Sequence, residues 1–255
     1  MILDDIVAST RRRIAPLQKQ RTELRRAALD AEPARSLSDA LTCLGLQVIA
    51  EIKRRSPSAG QLDVDLVPQD LATIYVAGGA AAISVLTEPE YFGGSADDLV
   101  DVRSVVDVPI LRKDFIVDSA QIYEAKILGA DAVLLIVAIL DDEVLGALHD
   151  AAASVGLEVL VEAHSEEEAL RAVAMGAKIV GINNRDLTTF ATDLSTGEQI
   201  VPIIRDASVT VGESGVSNLE GASRMAVAGF DAILVGEALV RSDDPAALIT
   251  TLGSV

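Results

Sequence analysis

Four charged residues interrupt or close aliphatic runs: Glu51 and Lys53 in Gln47–Lys53, Lys113 in Val108–Lys113, and Glu162 in Leu157–Glu162. Glu51 and Lys53 are two apart, so on an extended strand they share one face. Charged groups turned into an aliphatic interior are expensive unless they are paired or used. One reading is a structural ion-pair network. The other is an active site, which the convergence of several such groups favours. A lysine held among cations and apolar walls has its pKa lowered and becomes a general acid near neutral pH, with a neighbouring carboxylate as complementary base. A Schiff-base role for Lys53 or Lys113 stays open from residue type alone. Other runs end on Asn183-Asn184-Arg185, Glu213-Ser214-Gly215 and Gly236-Glu237.

The elements that must hold these residues repeat along the chain. A glycine, a small residue and an aliphatic run recur at Gly79, Gly129, Gly176 and Gly229, spaced by 50, 47 and 53 positions. Each glycine reads as the left-handed end of a helix, followed at once by a buried strand. The spacing fits two strand–helix units rather than one. Interleaving Gln47–Lys53, Val108–Lys113, Leu157–Glu162 and Ser208–Gly212 gives eight strands. Amphipathic stretches such as Ser119–Leu128, Glu143–Ser154, Ser165–Met175 and Leu219–Ala228 lie between strands, and Ser165 with Glu168 reads as a capping box. Alternation with short loops demands parallel pairing. An open doubly wound sheet shares the pattern, but the first strand runs into Lys-Arg-Arg-Ser-Pro-Ser with no G-x-G-x-x-G. The expected fold is therefore α/β, a single (β/α)8 TIM barrel over 46–255, with a helical extension over 1–45. In such a barrel the strand C-termini and following loops form the active face.

Gly215, before a helix starting near Ser217, and Gly236-Glu237, before a helix over Ala238–Val240, offer helix N-termini to a phosphate. The alternative is that both glycines only turn the chain. Ser56 adds a hydroxyl. Gly93-Gly94 reads as a flexible loop beside Phe92, which can stack on a planar ligand. His149 reads as a helix-surface residue and His164 as following strand five. Neither has a partner spaced for a metal, so none is expected.

Composition narrows the partners. Half of the 255 residues are hydrophobic, only 3% are aromatic and the formal net charge is −18. Nucleic acid and anionic membrane both need a positive field and are excluded as partners. The one cysteine, Cys43, rules out an intrachain disulfide. With no apolar core at the N-terminus and no membrane-length run, a cytoplasmic chain is expected. Leu3 to Leu29 is a charged helical pattern broken at Pro16, and Arg11–Arg13, Arg21, Arg25 and Arg26 read as its solvated face rather than a nucleic-acid patch.

Several segments resemble indole-3-glycerol-phosphate synthase: Ile49–Gly60 (IAEIKRRSPSAG), Ser84–Gly94 (SVLTEPEYFGG), Pro109–Val117 (PILRKDFIV), Gly181–Leu187 (GINNRDL), Gly212–Ser217 (GESGVS) and Ile233–Ala238 (ILVGEA). The resemblance runs in order from about Val48 to Val240, and the N-terminal extension also fits. It implies a lyase of tryptophan biosynthesis. The substrate is 1-(2-carboxyphenylamino)-1-deoxyribulose 5-phosphate, the products are indole-3-glycerol phosphate, CO2 and water, and no cofactor is used. Carried over motif by motif, it implies Lys113 as general acid, Glu162 as stabiliser of the cationic intermediate, Glu51 and Lys53 as the dehydration and anchoring pair, and Asn183 as positioner of hydroxyls. It further implies Ser56, Gly215, Gly236 and Glu237 around phosphate, Arg185 and Ser214 lining the pocket, and Phe92, Phe115 and Leu134 around the aromatic ring. Which lysine gives which proton stays open. A departure is the scarcity of aromatics near the N-terminus, where a helix is expected to cover the ring; another is 188–208, which carries no motif. The alternatives are phosphoribosylanthranilate isomerase, which calls for a Cys and Asp pair at strand ends, and a barrel that binds a phosphometabolite without turnover. A monomer is expected, with a weak homodimer as the alternative.

Overall fold

The computed structural model describes residues 2–58, 60–186, 189–205 and 209–255. Eight parallel strands close into a barrel: β1 (Gln47–Ile52), β2 (Ala82–Leu86), β3 (Ile110–Lys113), β4 (Ala132–Ile136), β5 (Glu158–Ala163), β6 (Ile179–Asn183), β7 (Val209–Glu213) and β8 (Ala232–Val235). Each strand pairs with its sequence neighbours, and β8 closes on β1 with Ile49 opposite Leu234. This is the (β/α)8 architecture expected from the repeat. Ser208, the first residue of the anticipated seventh strand, lies outside the described residues.

Strand alternation sorts the side chains into two apolar layers. Inside the barrel lie Ile49, Leu111, Leu134, Leu160, Val211 and Leu234. Val48, Ile83, Ile110, Val133, Val161 and Ile233 point outward and pack against the helices. Aliphatic side chains on both faces explain why the strands read as unbroken apolar runs.

The four repeat glycines have φ of 94°, 92°, 85° and 102°, a left-handed backbone that other residues adopt only at a cost. The repeat carries a second device. Asp131 Oδ2 accepts the Ile110 N–H at 2.8 Å, and Asp231 Oδ2 accepts the Thr210 N–H at the same distance. An aspartate at the start of one even strand thus ties down the odd strand before it.

Four helices precede β1: α1 (Ile2–Arg13), α2 (Ala15–Lys19), α3 (Arg21–Leu29) and α4 (Leu37–Leu41). The helical pattern breaks at Ile14, and Pro16 sits in the first turn of α2. α4 is the floor of the barrel. Its Leu37 and Leu41 are fully buried in the inner layer, and Ser38 holds Glu158 through its N–H (2.8 Å) and hydroxyl (2.6 Å). α1 reaches the opposite end, where Arg13 pairs with fully buried Asp114 at 2.8 Å and Ser9 bonds Glu90. Arg21 pairs with Asp118 at 2.6 Å. Arg13 and Arg21 are therefore structural tethers, which corrects the expectation of a purely solvated basic face. Burial alone would raise the Asp114 carboxyl, but the Arg112 and Arg13 guanidiniums hold it below its usual range.

The remaining helices cover the barrel: α5 (Pro68–Ala77), α6 (Pro89–Phe92), α7 (Ala96–Arg103), α8 (Ser119–Ile127), α9 (Asp142–Ser154), α10 (Glu166–Ala174), α11 (Ser195–Ile204), α12 (Leu219–Ala228), α13 (Glu237–Val240) and α14 (Pro245–Leu252). Ser165 caps α10 through the Glu168 N–H as expected, but Glu168 returns its carboxylate to the His164 N–H at 2.7 Å, one residue before the cap. Among the described residues no helix is long and apolar enough to cross a membrane.

Candidate active site

The inward positions at the C-terminal ends of the strands carry the charge. Glu51 on β1, Lys113 on β3, Glu162 on β5, Asn183 on β6 and Glu213 on β7 all line one cavity at the barrel mouth, with Lys53 just beyond β1. Register explains the convergence. Asn183 lies opposite Glu213, and Glu162 lies opposite Gly181. At Gly181 a Cβ would overlap Glu213 Oε1, so glycine on β6 makes the space the carboxylate fills. Gly236 does the same for Glu51, whose carboxylate occupies the position a Cβ would need.

Three ion pairs, made by two lysines, organise the charge. Lys53 Nζ is 2.7 Å from Glu51 Oε1, and Lys113 Nζ is 3.2 Å from Glu162 Oε2 and 3.5 Å from Glu213 Oε2. Burial by itself would lower Lys113, but Glu162, Glu213 and Glu51 outweigh it and hold the ammonium well above its ordinary range. This reverses the expectation of a lowered lysine pKa, because the neighbours closest to Lys113 are carboxylates and not cations. Burial would raise Glu162, but Lys113 and then His164 hold it ionised below the usual range. Glu213 goes the other way. Burial and then the Glu162 charge push it well above the usual carboxylate range. Two carboxylates face one ammonium, and their titrations are pushed apart, Glu162 downward and Glu213 upward. Glu213 Oε1 is buried without a hydrogen-bond partner, packed against β6 at Gly181.

The apolar side of the cavity comes from Phe92, Phe115 and Leu134 with Leu86 and Ile136. The Phe92 and Phe115 rings lie 6.0 Å apart and tilted by 36°. Phe92 is fixed by its own helix: the buried Glu88 carboxylate caps α6 by accepting the N–H groups of Glu90, Tyr91 and Phe92. Gly93 ends α6 at φ 67°, and the Gly94 N–H bonds Glu88 O at 2.9 Å beneath β2. Gly93-Gly94 is thus a fixed turn and not a flexible loop. The loop after β1 is anchored against it, with Arg54 paired to Asp98 and Arg55 donating to Pro89 O at 3.0 Å. That anchorage presents Ser56 to the cavity.

Ser56, Arg185 and Ser214 line the same cavity, whereas Gly215, Gly236 and Glu237 do not. Glu237 instead pairs with Arg241 at 3.1 Å on the surface. The helix expected near Ser217 starts at Leu219, and the Asn218 side chain caps it through the Gly221 N–H. The loop after β7 is the more specialised. Ser214 adopts φ 62°, and Gly215 follows at φ 91°, where a Cβ would overlap Thr192.

Three contributors were not singled out from the sequence as site residues. Glu213 was noted at a strand end but given no role, and its inward register with Asn183 was the available signal. Phe190 lines the cavity from a segment without motifs. Ile2, Leu3 and Ile6 of α1 cover the apolar side with aliphatic rather than aromatic groups. Of the motif-free segment 188–208, residues 188 and 206–208 lie outside the described residues, and Ser195–Ile204 forms α11; residue 187, the last of the preceding motif, also lies outside them. Of the asparagine pair, Asn183 faces the cavity. Asn184 faces outward and clamps Glu213 O (2.9 Å) and the Gly197 N–H (2.9 Å). Among the described residues no group of three His, Cys, Asp or Glu side chains is arranged to hold a metal ion.

Known proteins share both the fold and the sequence. The chain is structurally similar to thiamine phosphate pyrophosphorylase from Pyrococcus furiosus (TM-score 0.62, 19% identity, 85% of this chain and 96% of that one). It is also similar to 3-hexulose-6-phosphate synthase from Salmonella typhimurium (TM-score 0.63, 14% identity, 82% and 97%). At such identities the likeness is one of fold alone. Sequence relatives are far nearer. One from a Nocardioides species is 49% identical over 256 residues, covering 100% of this chain and 98% of the relative. One from Streptomyces griseus is 50% identical over 253 residues, covering 98% and 94%. Both are named indole-3-glycerol phosphate synthase. The family model for indole-3-glycerol phosphate synthase matches residues 3–252, and with near-complete coverage at half identity the chain belongs to that family.

Proposed function

We propose that the chain is an indole-3-glycerol-phosphate synthase, closing the indole ring of 1-(2-carboxyphenylamino)-1-deoxyribulose 5-phosphate with loss of CO2 and water. The observation that carries this reading is Lys113 held among Glu162, Glu213 and Glu51 at the mouth of a barrel, beside an apolar wall. In the first step the ring carbon bonds to the ketone carbon and the ketone oxygen takes a proton from Lys113. A lysine with a raised pKa serves here because the oxygen turns from a very weak base into an alkoxide as the bond forms, so the proton moves late. Glu162, ionised and water-poor, offsets the positive charge left on the ring system. Departure of CO2 then returns an electron pair to the ring and cancels that charge. In the second stage the new hydroxyl leaves as water, protonated by Lys53 or Lys113, while a carboxylate takes the proton from the adjacent carbon; Glu51, paired with Lys53, stands nearest that function. Asn183 orients the substrate hydroxyls, and Ser56, Arg185 and Ser214 receive the phosphate. The backbones of Gly215 and of Gly236-Glu237, which follow β7 and β8, complete the phosphate region. Phe92, Phe115 and Leu134 hold the aromatic ring under the α1 aliphatics. Lys53, Lys113 and Arg185 give an anionic substrate local cations in a chain whose net charge is −18.

The isomerase alternative lacks its cysteine: Cys43 is exposed and lies between α4 and β1, at the barrel floor. The test is formation of the fluorescent indole product from the carboxyphenylamino substrate by the purified chain. Lys113→Ala should lower turnover at least about 100-fold while keeping native circular dichroism. Near-wild-type turnover in that variant, or substrate binding without product in the parent chain, would sink the assignment.

A further inference from the structure

His164 follows β5 and takes no part in the chemistry just described, yet it is lodged between two carboxylates. Its Nε2 lies 3.3 Å from Glu162 Oε1, and its Nδ1 lies 3.3 Å from Glu168 Oε2. The side chain is 12% exposed. Nε2 is buried and off the line of a well-made hydrogen bond, so its coupling to Glu162 is one of charge at short range. Ionised carboxylates only accept, so a ring with one at each nitrogen is satisfied only when both nitrogens carry hydrogen. The Glu168 carboxylate is itself held, by the His164 N–H at 2.7 Å.

We infer that His164 is a positioning residue of the site: as an imidazolium wedged between Glu162 and Glu168, it keeps Glu162 the anion that faces Lys113. The inference rests on the proposed role of Glu162. The charged groups around the ring are Glu162 at the end of β5, Glu168 and Arg171 on α10 and, behind Glu162, Lys113 from β3 and Glu213 from β7. Burial alone would lower the imidazole, but the neighbouring Glu162 and Glu168 carboxylates lift it to about 10. The ring therefore carries charge across the whole neutral range. Without it, Glu162 would be left with Lys113 and would protonate more readily. The site would then divide between two protonation states, only one of which stabilises a cationic intermediate.

The chain has only two histidines. In a His149→Gln background, 15N NMR of the imidazole ring therefore reads His164 alone. The expected result is a doubly protonated ring at pH 8, where an ordinary histidine, with a pKa of about 6.5, is neutral. A neutral ring at pH 8 overturns the inference. His164→Gln should lower kcat roughly tenfold with little change in KM, and should move the acid limb of the kcat profile up by about one pH unit, because Glu162 loses a cation and protonates more readily. Glu168→Gln keeps the ring but removes one carboxylate, so the NMR titration of His164 should move to lower pH. A His164→Gln variant with kcat and KM altered together and both limbs in place would show a merely structural role. Failure of the parent chain to form product would overturn the activity, with the ring titration still deciding the charge on His164.

Discussion

Lys113 and Glu213 face each other across the mouth of the barrel at 3.5 Å, and the glycine between their strands decides how close they come. Gly181→Ala places a methyl where Glu213 Oε1 now lies, so the carboxylate must leave Lys113 or β6 must shift. The expected cost is about 1–3 kcal/mol together with a loss of turnover. If the cause is steric, the same methyl costs much less stability once Glu213 is shortened. A double-mutant cycle on Gly181→Ala and Glu213→Ala, read by chemical denaturation, should therefore be strongly non-additive. Additive costs would show that the two residues do not share this space.

At the scale of elements, the two ends of the barrel have separate duties. α4 closes the floor with Leu37 and Leu41, far from the charged cluster, while α1 reaches the mouth through Arg13 and Asp114. Leu37→Ala should destabilise the fold by about 2–5 kcal/mol through a cavity in the inner layer, leaving kcat and KM unchanged below the melting transition. Arg13→Ala leaves Asp114 to Arg112, Thr87 and the Phe115 N–H and loosens α1 from its seat. It should raise KM several-fold with kcat held, because Ile2, Leu3 and Ile6 no longer cover the apolar wall. If Leu37→Ala changed KM, or Arg13→Ala left it untouched in steady-state kinetics, this division of labour would be wrong.

For the whole molecule, the buried cluster makes stability depend on pH at both ends. His164 is lifted from 6.5 to about 10, so its contribution is complete below pH 6.5 and is lost as pH rises through 10. Glu213, also raised, acts in the same direction from its lower starting point. Glu162 is depressed, so its contribution is present above its ordinary 4.5 and is lost as pH falls toward its folded value. Denaturation midpoints should therefore decline between pH 7 and 10. His164→Gln should flatten much of that decline, and an unchanged slope in the variant would exclude His164 as its source.

Much of this organisation is written locally. Glycine at each helix end and aliphatic runs on both strand faces specify strands, helices and their order, because backbone freedom and burial act within a few residues. Charged side chains at strand ends mark the active face for the same reason. What a residue's own neighbours cannot supply is which other charges surround it. Lys113 reads as a lysine among cations, yet closure of the barrel brings three carboxylates to it from β1, β5 and β7. Glu213 is pushed up, and His164 likewise, only through residues on other elements. The sequence by itself determined the barrel and the rim on which chemistry sits. The tertiary structure alone decided the protonation of that rim, since a pKa depends on distances across the barrel that the order of residues along a strand does not contain.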